Sequence, residues 1–327
     1  MTVCKREKFS RSQFAPAGSP DPAVRQRIWR SAASFGNLLK LVATFSIVAY
    51  DPENGDLGVA VQSKFLAVGA VVPWAKAGIG AIATQSWANT TYGPEGLRLM
   101  AEGLSAQEAL ERLIEADEEC ALRQAGMVDA RGNATAYTGA GCFEWAGHIV
   151  GEGFACQGNI LVSQETVQAM ARTFEESAGE LSDRLAAALE AGQKAGGDSR
   201  GRQSAALLVV REKGGYGGFN DRWIDLRVDD HPTPIQELKR LLELHKLYFL
   251  KSKPEHLLPL EGEVAREVQC ALSKLGYYSG EINDLYDNAT RQALLDFTGI
   301  ENLEERWQEG AYIDPVVLEF MRHEEER

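Results

Sequence analysis

Thr44-Phe45-Ser46-Ile47-Val48-Ala49-Tyr50 is a run of β-branched, aromatic and small apolar residues with no helical spacing, and it reads as a strand. The next six residues, Asp51-Pro52-Glu53-Asn54-Gly55-Asp56, carry Asp-Pro and Asn-Gly turn signals. A second apolar strand over 57–63 completes a hairpin. Two further extended stretches, 68–74 and 79–84, are dense in Val, Ile and Ala, as expected of strands buried on both faces. The domain therefore starts as sheet. Thr44 also admits a chemical reading. A threonine with a free α-amino group holds a nucleophile and its base in one residue, because an amine of reference pKa near 8 accepts the hydroxyl proton at neutral pH. An ordinary strand-initial threonine is the alternative.

The following pattern alternates helices with strands. Helices are expected over 94–100 and 105–116, the second opened by the capping box Ser105-Ala106-Gln107-Glu108. Residues 124–128 and 134–138 flank the turn Asp129-Ala130-Arg131-Gly132-Asn133 as a hairpin. Extended segments follow at 142–149 and 154–161, then helices at 164–176 and 181–191. Strands at 204–211 and 223–228 enclose a glycine-rich turn at 214–218. This order gives an α+β fold in which sheets pack between helix pairs.

Composition sets limits on partners. The formal charge is −13, yet the first 43 residues hold eight Lys or Arg against Glu7 and Asp21, so the rest of the chain is more acidic than the whole. An acidic body repels phosphate backbones and anionic membrane surfaces, which argues against nucleic-acid or membrane partners. No stretch approaches the roughly twenty apolar residues of a membrane span. Five scattered cysteines and five scattered histidines show no metal-ligand spacing, and the cysteines read as reduced thiols of a cytoplasmic protein. No metal or cofactor is expected. Residues 1–43 lack the apolar core of a secretory signal. They read as a disordered leader, either a propeptide removed at Ala43-Thr44 or an over-extended gene start.

Several segments together resemble one family: Thr44-Phe45-Ser46-Ile47-Val48-Ala49, Gly58-Val59-Ala60-Val61-Gln62-Ser63-Lys64-Phe65, Val68-Gly69-Ala70-Val71-Val72-Pro73-Trp74, Gly80-Ala81-Ile82-Ala83-Thr84-Gln85, Gln157-Gly158-Asn159-Ile160-Leu161 and Gly196-Gly197-Asp198-Ser199-Arg200-Gly201-Arg202-Gln203-Ser204. They are similar to the uncharacterised bacterial family known as domain of unknown function 1028, assigned to the N-terminal nucleophile (Ntn) hydrolases. The resemblance implies a four-layer αββα sandwich over 44–250 and amide hydrolysis with Thr44 as nucleophile, and it names no substrate beyond a small amide or peptide-like molecule. Proteasome-type Ntn sites place a lysine on the third strand, which points to Lys76, with Lys64 as competitor. Where the superfamily has an acidic residue on strand two, this chain has Gln62. Related enzymes place a carboxylate and a hydroxyl near the threonine amine, which suggests Asp198 and Ser204. Asn159, an amide donor beside a glycine, is the candidate oxyanion donor. Gln62, Ser63 and Lys64 at the end of the second strand, with Gln85, Ser86 and Asn89 at the end of the fourth, are expected to line a substrate groove. Capping and turn roles remain the structural alternatives for these residues.

Beyond a helix at 235–250 and the breaker Lys251-Ser252-Lys253-Pro254, the segments 264–286 and 290–297 resemble the small helical peptidoglycan-binding module. The tail, 254–327, is therefore expected to be a small helical domain, and a peptidoglycan fragment enters as a second partner. Asp284 and Asp287 replace glycines usual in that module. A helical interaction domain without glycan binding is the alternative, as is a non-catalytic binding role for the sandwich, and homo-oligomerisation is left open.

Overall fold

The computed structural model describes residues 41–42 and 44–325. The chain divides into two compact units, Met1–Ile235 and Gln236–Arg327. In the first unit, β1 (Leu41–Val42), β2 (Thr44–Tyr50), β3 (Leu57–Ser63), β4 (Pro73–Lys76), β5 (Gly80–Trp87), β6 (Arg123–Asp129), β7 (Ala134–Thr138), β8 (Gly147–Gly151), β9 (Phe154–Asn159), β10 (Ser204–Val210) and β11 (Arg222–Val228) form two antiparallel sheets. One has the order β1-β5-β6-β7, with β4 also paired to β5; the other runs β11-β10-β3-β2-β9-β8. The hairpin expected around Asn54-Gly55 forms as β2 and β3, with Thr44 opposite Ser63.

Period-two alternation sorts each strand between two environments. Val48, Val59, Val61, Ala81, Ala83, Val128, Ala155, Ala206 and Leu208 interdigitate in one apolar core shared by both sheets. The opposite faces carry helices. Ile82, Ala125 and Met127 pack with Tyr92, Leu99, Leu110 and Leu113 of α1 (Tyr92–Ala101) and α2 (Ala106–Ala116). Phe154 packs on Phe174 of α3 (Glu165–Glu176), with ring centroids 5.0 Å apart. A Cβ on Gly58 would meet Leu181 and Leu185 of α4 (Leu181–Lys194), so that glycine lets the helix approach β3 closely. The capping box of α2 forms in both directions between Ser105 and Glu108.

The apolar run 68–74 is not one strand: a 3-10 turn over Val68–Ala70 enters through Ala67 at φ 53°, and only Pro73–Lys76 is extended. Ser204 fixes that turn, accepting the Val68 N–H at 3.1 Å and donating to the Phe65 carbonyl at 2.5 Å. The expectations for residues 1–43 fall outside the described residues except at Leu41 and Val42. Those two pair with Trp87 and Ser86 of β5, so the sheet begins before Thr44.

The second unit holds α6 (Gly262–Lys274), α7 (Asn288–Ile300), α8 (Pro315–Glu325) and the short pair β12 (Leu258–Pro259) and β13 (Tyr312–Ile313) around one apolar core. Helix α5 (Pro234–Phe249) was expected to close the first domain, but from Gln236 it groups with the second. Buried Arg306 explains the grouping: it donates to the carbonyls of Lys246 and Leu247 and pairs with Asp314 at 2.8 Å. Asp314 in turn accepts from the Ser252 N–H and hydroxyl, which fixes the segment read as a linker. Asp287 caps α7 by accepting the Thr290 N–H at 2.8 Å.

Candidate active site at the polar end of the sheets

The core between the sheets changes character along its strands. Continuing the inward-facing positions past Val48, Val61, Ala83, Gly126 and Ala155 leads to Ser46 and Thr44 on β2, Ser63 on β3, Gln85 on β5, Gln124 on β6, and Gln157 and Asn159 on β9. All seven side chains are fully buried, and none is ionisable. Register brings them together: Thr44 stands between Ser63 and Asn159 on its neighbouring strands, and Gln85 stands opposite Gln124.

The direction of each hydrogen bond from Gln124 to Gln157 follows from one anchor. Gln124 Nε2 meets the carbonyls of Gly158 at 2.8 Å and Gly147 at 3.3 Å. Carbonyls only accept, so the nitrogen of that amide must face them. Its Oε1 therefore accepts, from Gln85 Nε2 at 2.8 Å and Asn159 Nδ2 at 2.9 Å. Gln85 Oε1 then receives the Ser46 hydroxyl at 2.6 Å, and Ser46 Oγ receives Gln157 Nε2 at 2.6 Å. Gln157 occupies the space a side chain on Gly126 would fill. Gln124 also donates to Thr138 Oγ1, which meets the exposed His148 Nδ1 at 2.9 Å, so the network reaches the surface there. Two buried acceptors stay without a donor, Gln157 Oε1 and Asn159 Oδ1.

Thr44 lies at the head of this network. Its hydroxyl donates to Ser63 Oγ at 3.1 Å, and its carbonyl receives Gln85 Nε2 at 3.4 Å. Of the residues singled out in the sequence, Thr44, Ser63, Gln85 and Asn159 meet here. Asn159 spends one N–H on Gln124 Oε1, and its Oδ1 is the atom without a partner.

The others are elsewhere or otherwise engaged. Lys76 is exposed and pairs with Gly80, five residues along β5 from Gln85, or about 16 Å at strand rise. Lys64 is exposed, and its backbone N–H is held by Asp198. Asp198 is buried and spends its oxygens on Lys64 N–H and on the backbone and guanidinium of Arg200. Ser204 is the turn-fixing hydroxyl described above. Asn89 bonds Thr91 and the Asp117 carboxylate as a loop cap. Gln62 lies opposite Phe45, on the face that packs against α4, and both atoms of its buried amide lack a partner. Ser86 is buried at φ 68° beside Cys142, next in the strand to Gln85.

Sequence reading missed Ser46, Gln124 and Gln157. The available signal was parity: each lies an even number of residues from a polar inward position on its own strand or directly across from one. Among the described residues no group of His, Cys, Asp and Glu has the arrangement of a metal site. No helix among them is long and apolar enough to cross a membrane.

Residues 44–238 match a family described as "Family of unknown function (DUF1028)", and residues 248–321 match one described as "Putative peptidoglycan binding domain". A crystal structure of a Silicibacter pomeroyi protein of the first family is 30% identical, covering 68% of this chain and 89% of that one, with a TM-score of 0.57. No curated protein matches.

Proposed function

Because the chain belongs to the DUF1028 family, whose function is unknown, its chemistry must be argued from the Thr44 site, and we propose that it is an Ntn-type amidohydrolase with a four-layer αββα sandwich, acting on a small amide or peptide-like substrate. The observation carrying this reading is the placement of Thr44: first residue of a central strand, its hydroxyl bonded to Ser63, at the head of a buried network of neutral amides.

With Thr44 as the first residue, its amine takes the hydroxyl proton as Oγ1 attacks the substrate carbonyl. The tetrahedral adduct collapses to an ester on Oγ1, the amine side of the substrate leaves with that proton, and water then cleaves the ester. No lysine is needed to hold the amine neutral. Burial among uncharged side chains disfavours the ammonium form by itself. Asn159 Oδ1, the unmatched acceptor on the neighbouring strand, suits an N–H of that amine.

A second reading, a binding protein that keeps the sandwich, is favoured by the seating of Leu41 and Val42 in the sheet, since a chain retaining them has no free amine at Thr44. The tail match makes a peptidoglycan fragment the partner to try first on either reading. A β-lactone separates them without knowledge of the substrate: hydroxyl attack opens the ring to an ester and adds the whole lactone mass. We expect intact-mass spectra of the expressed chain to show a species beginning at Thr44 that gains one adduct, with Thr44→Ala gaining none. A chain that keeps its leader and stays unlabelled overturns the hydrolase.

A further inference from the structure

Val42 and Thr44 are separated by one residue, yet they belong to different sheets: β1 pairs with β5, and β2 lies between β3 and β9. The chain therefore crosses from one sheet to the other immediately before the proposed nucleophile. On one edge of β5, strand β4 pairs from Gly80 to Ala83, and β1 pairs at Ser86 and Trp87. Removing the residues before Thr44 leaves that second stretch of edge without its strand. A strand edge is a row of backbone donors and acceptors that another extended chain can complete.

We infer that this edge, Ser86–Trp87 of β5, is the docking site for the acyl side of an extended peptide substrate. The inference rests on the hydrolase reading and narrows its substrate class. The chain's own residues before Thr44 lie on β5, and the acyl side of a substrate esterified to Thr44 is assigned the same course. Backbone pairing sets Leu41 and Val42 opposite Trp87 and Ser86, so the recognition inferred here is of the substrate's main chain, over at least two residues preceding the scissile carbonyl. Ser86 marks the site in a second way. A non-glycine residue at φ 68° inside a strand is strained, and it stands at the point where the edge passes from β4 to β1. Gln85, the neighbouring residue, turns its amide to the Thr44 carbonyl, which ties this edge to the nucleophile.

The test uses the full chain carrying Thr44→Ala, so that docking is read without chemistry. Leu41→Pro with Val42→Pro removes both N–H groups of β1. Hydrogen exchange at residues 85–88 is followed by mass spectrometry, with residues 124–128 as the internal control for the fold. We expect exchange at 85–88 to accelerate at least tenfold in the proline variant. It should be slowed again by millimolar acetyl-Leu-Leu-Lys-Leu-Val-Ala, the sequence of residues 38–43, and not by that peptide N-methylated at its leucine-valine pair. The single Val42→Pro chain serves if the double variant loses protection at 124–128. Unchanged exchange in the proline chains overturns the inference, as does a peptide that fails to restore protection or an N-methylated peptide that restores it equally. Restored protection together with an unlabelled Thr44 in the lactone experiment leaves the docking edge standing and removes the hydrolase.

Discussion

Each amide of the Thr44 network has its orientation dictated by another, and the dependence ends at Gln124. Replacing Gln124 with Leu strips partners from the Gly147 and Gly158 carbonyls, Gln85 and Asn159 together. Orphaned buried groups cost on the order of 1–3 kcal/mol each before relaxation, so we expect Gln124→Leu to lose about 3 kcal/mol in urea unfolding. A loss well under 1 kcal/mol would mean the network is not anchored there. The lysines give the opposite prediction. Lys76 ends β4 opposite Gly80, at the other end of β5 from Gln85, and Lys64 is exposed, so Lys76→Ala and Lys64→Ala should leave the rate of lactone labelling at Thr44 unchanged. A large fall in either chain would restore the proteasome-like pairing that the sequence suggested. The resemblance singled out Thr44 because it opens a recognisable motif. It pointed to Lys76 as the end of a third strand over 68–74; only Pro73–Lys76 is extended, and Lys76 stands opposite Gly80, at the other end of β5 from Gln85.

At the level of elements, what could be read depended on whether turn chemistry or mere hydrophobicity marked a boundary. The β2–β3 hairpin and the α2 cap carry their own punctuation, Asn54-Gly55 and Ser105-Glu108, and both form. Val68-Gly69-Ala70-Val71-Val72 has none: a buried 3-10 turn and a buried strand demand the same apolar residues, and what selects the turn is a hydroxyl 136 residues away in sequence, that of Ser204. The junction between α2 and β6 has a similar long-distance lock. Asp117 accepts from Arg123, Asn89, the Tyr92 hydroxyl and the Glu119 N–H. Burial works to raise its carboxyl, but the hydrogen bonds from Arg123 and Asn89 outweigh this and hold it at about 2. A carboxyl depressed in the folded state stabilises above its unfolded pKa near 4, and that contribution is lost as pH falls through the folded value. Stability should therefore drop between about pH 4 and pH 2 in the parent chain, and Asp117→Asn should remove part of that slope. Asn also leaves a largely buried Arg123 short of its partner, for a loss at pH 7 of about 3 kcal/mol. Equal acid slopes in the two chains would assign the acid sensitivity to other carboxylates.

At the scale of the molecule, the sequence announced two domains by its Lys251-Ser252-Lys253-Pro254 break, but that break is not where the units part. Composition marks a flexible stretch only if nothing distant reaches back to it, and here Arg306 and Asp314 do. Their ion pair is buried, with side-chain exposures of 4% and 0%, and it is completed by the Lys246 and Leu247 carbonyls on one side and Ser252 on the other. A tail fragment beginning at residue 254 keeps the pair and loses every one of those partners, leaving a buried guanidinium short of two acceptors and Asp314 short of two donors. A fragment beginning at Gln236 keeps them all. Both retain the apolar core around Phe297, Leu318 and Met321, so both should show a cooperative urea transition. Breaking the partnerships of a buried charge costs several kcal/mol, and we expect the fragment from 236 to be the more stable by about 3 kcal/mol. Arg306→Met should narrow that gap, because a neutral side chain of similar length leaves the 254 fragment with no charge in want of acceptors. Two fragments of equal stability would show that the carbonyls of α5 contribute nothing to the second unit, and that its boundary lies at the proline after all.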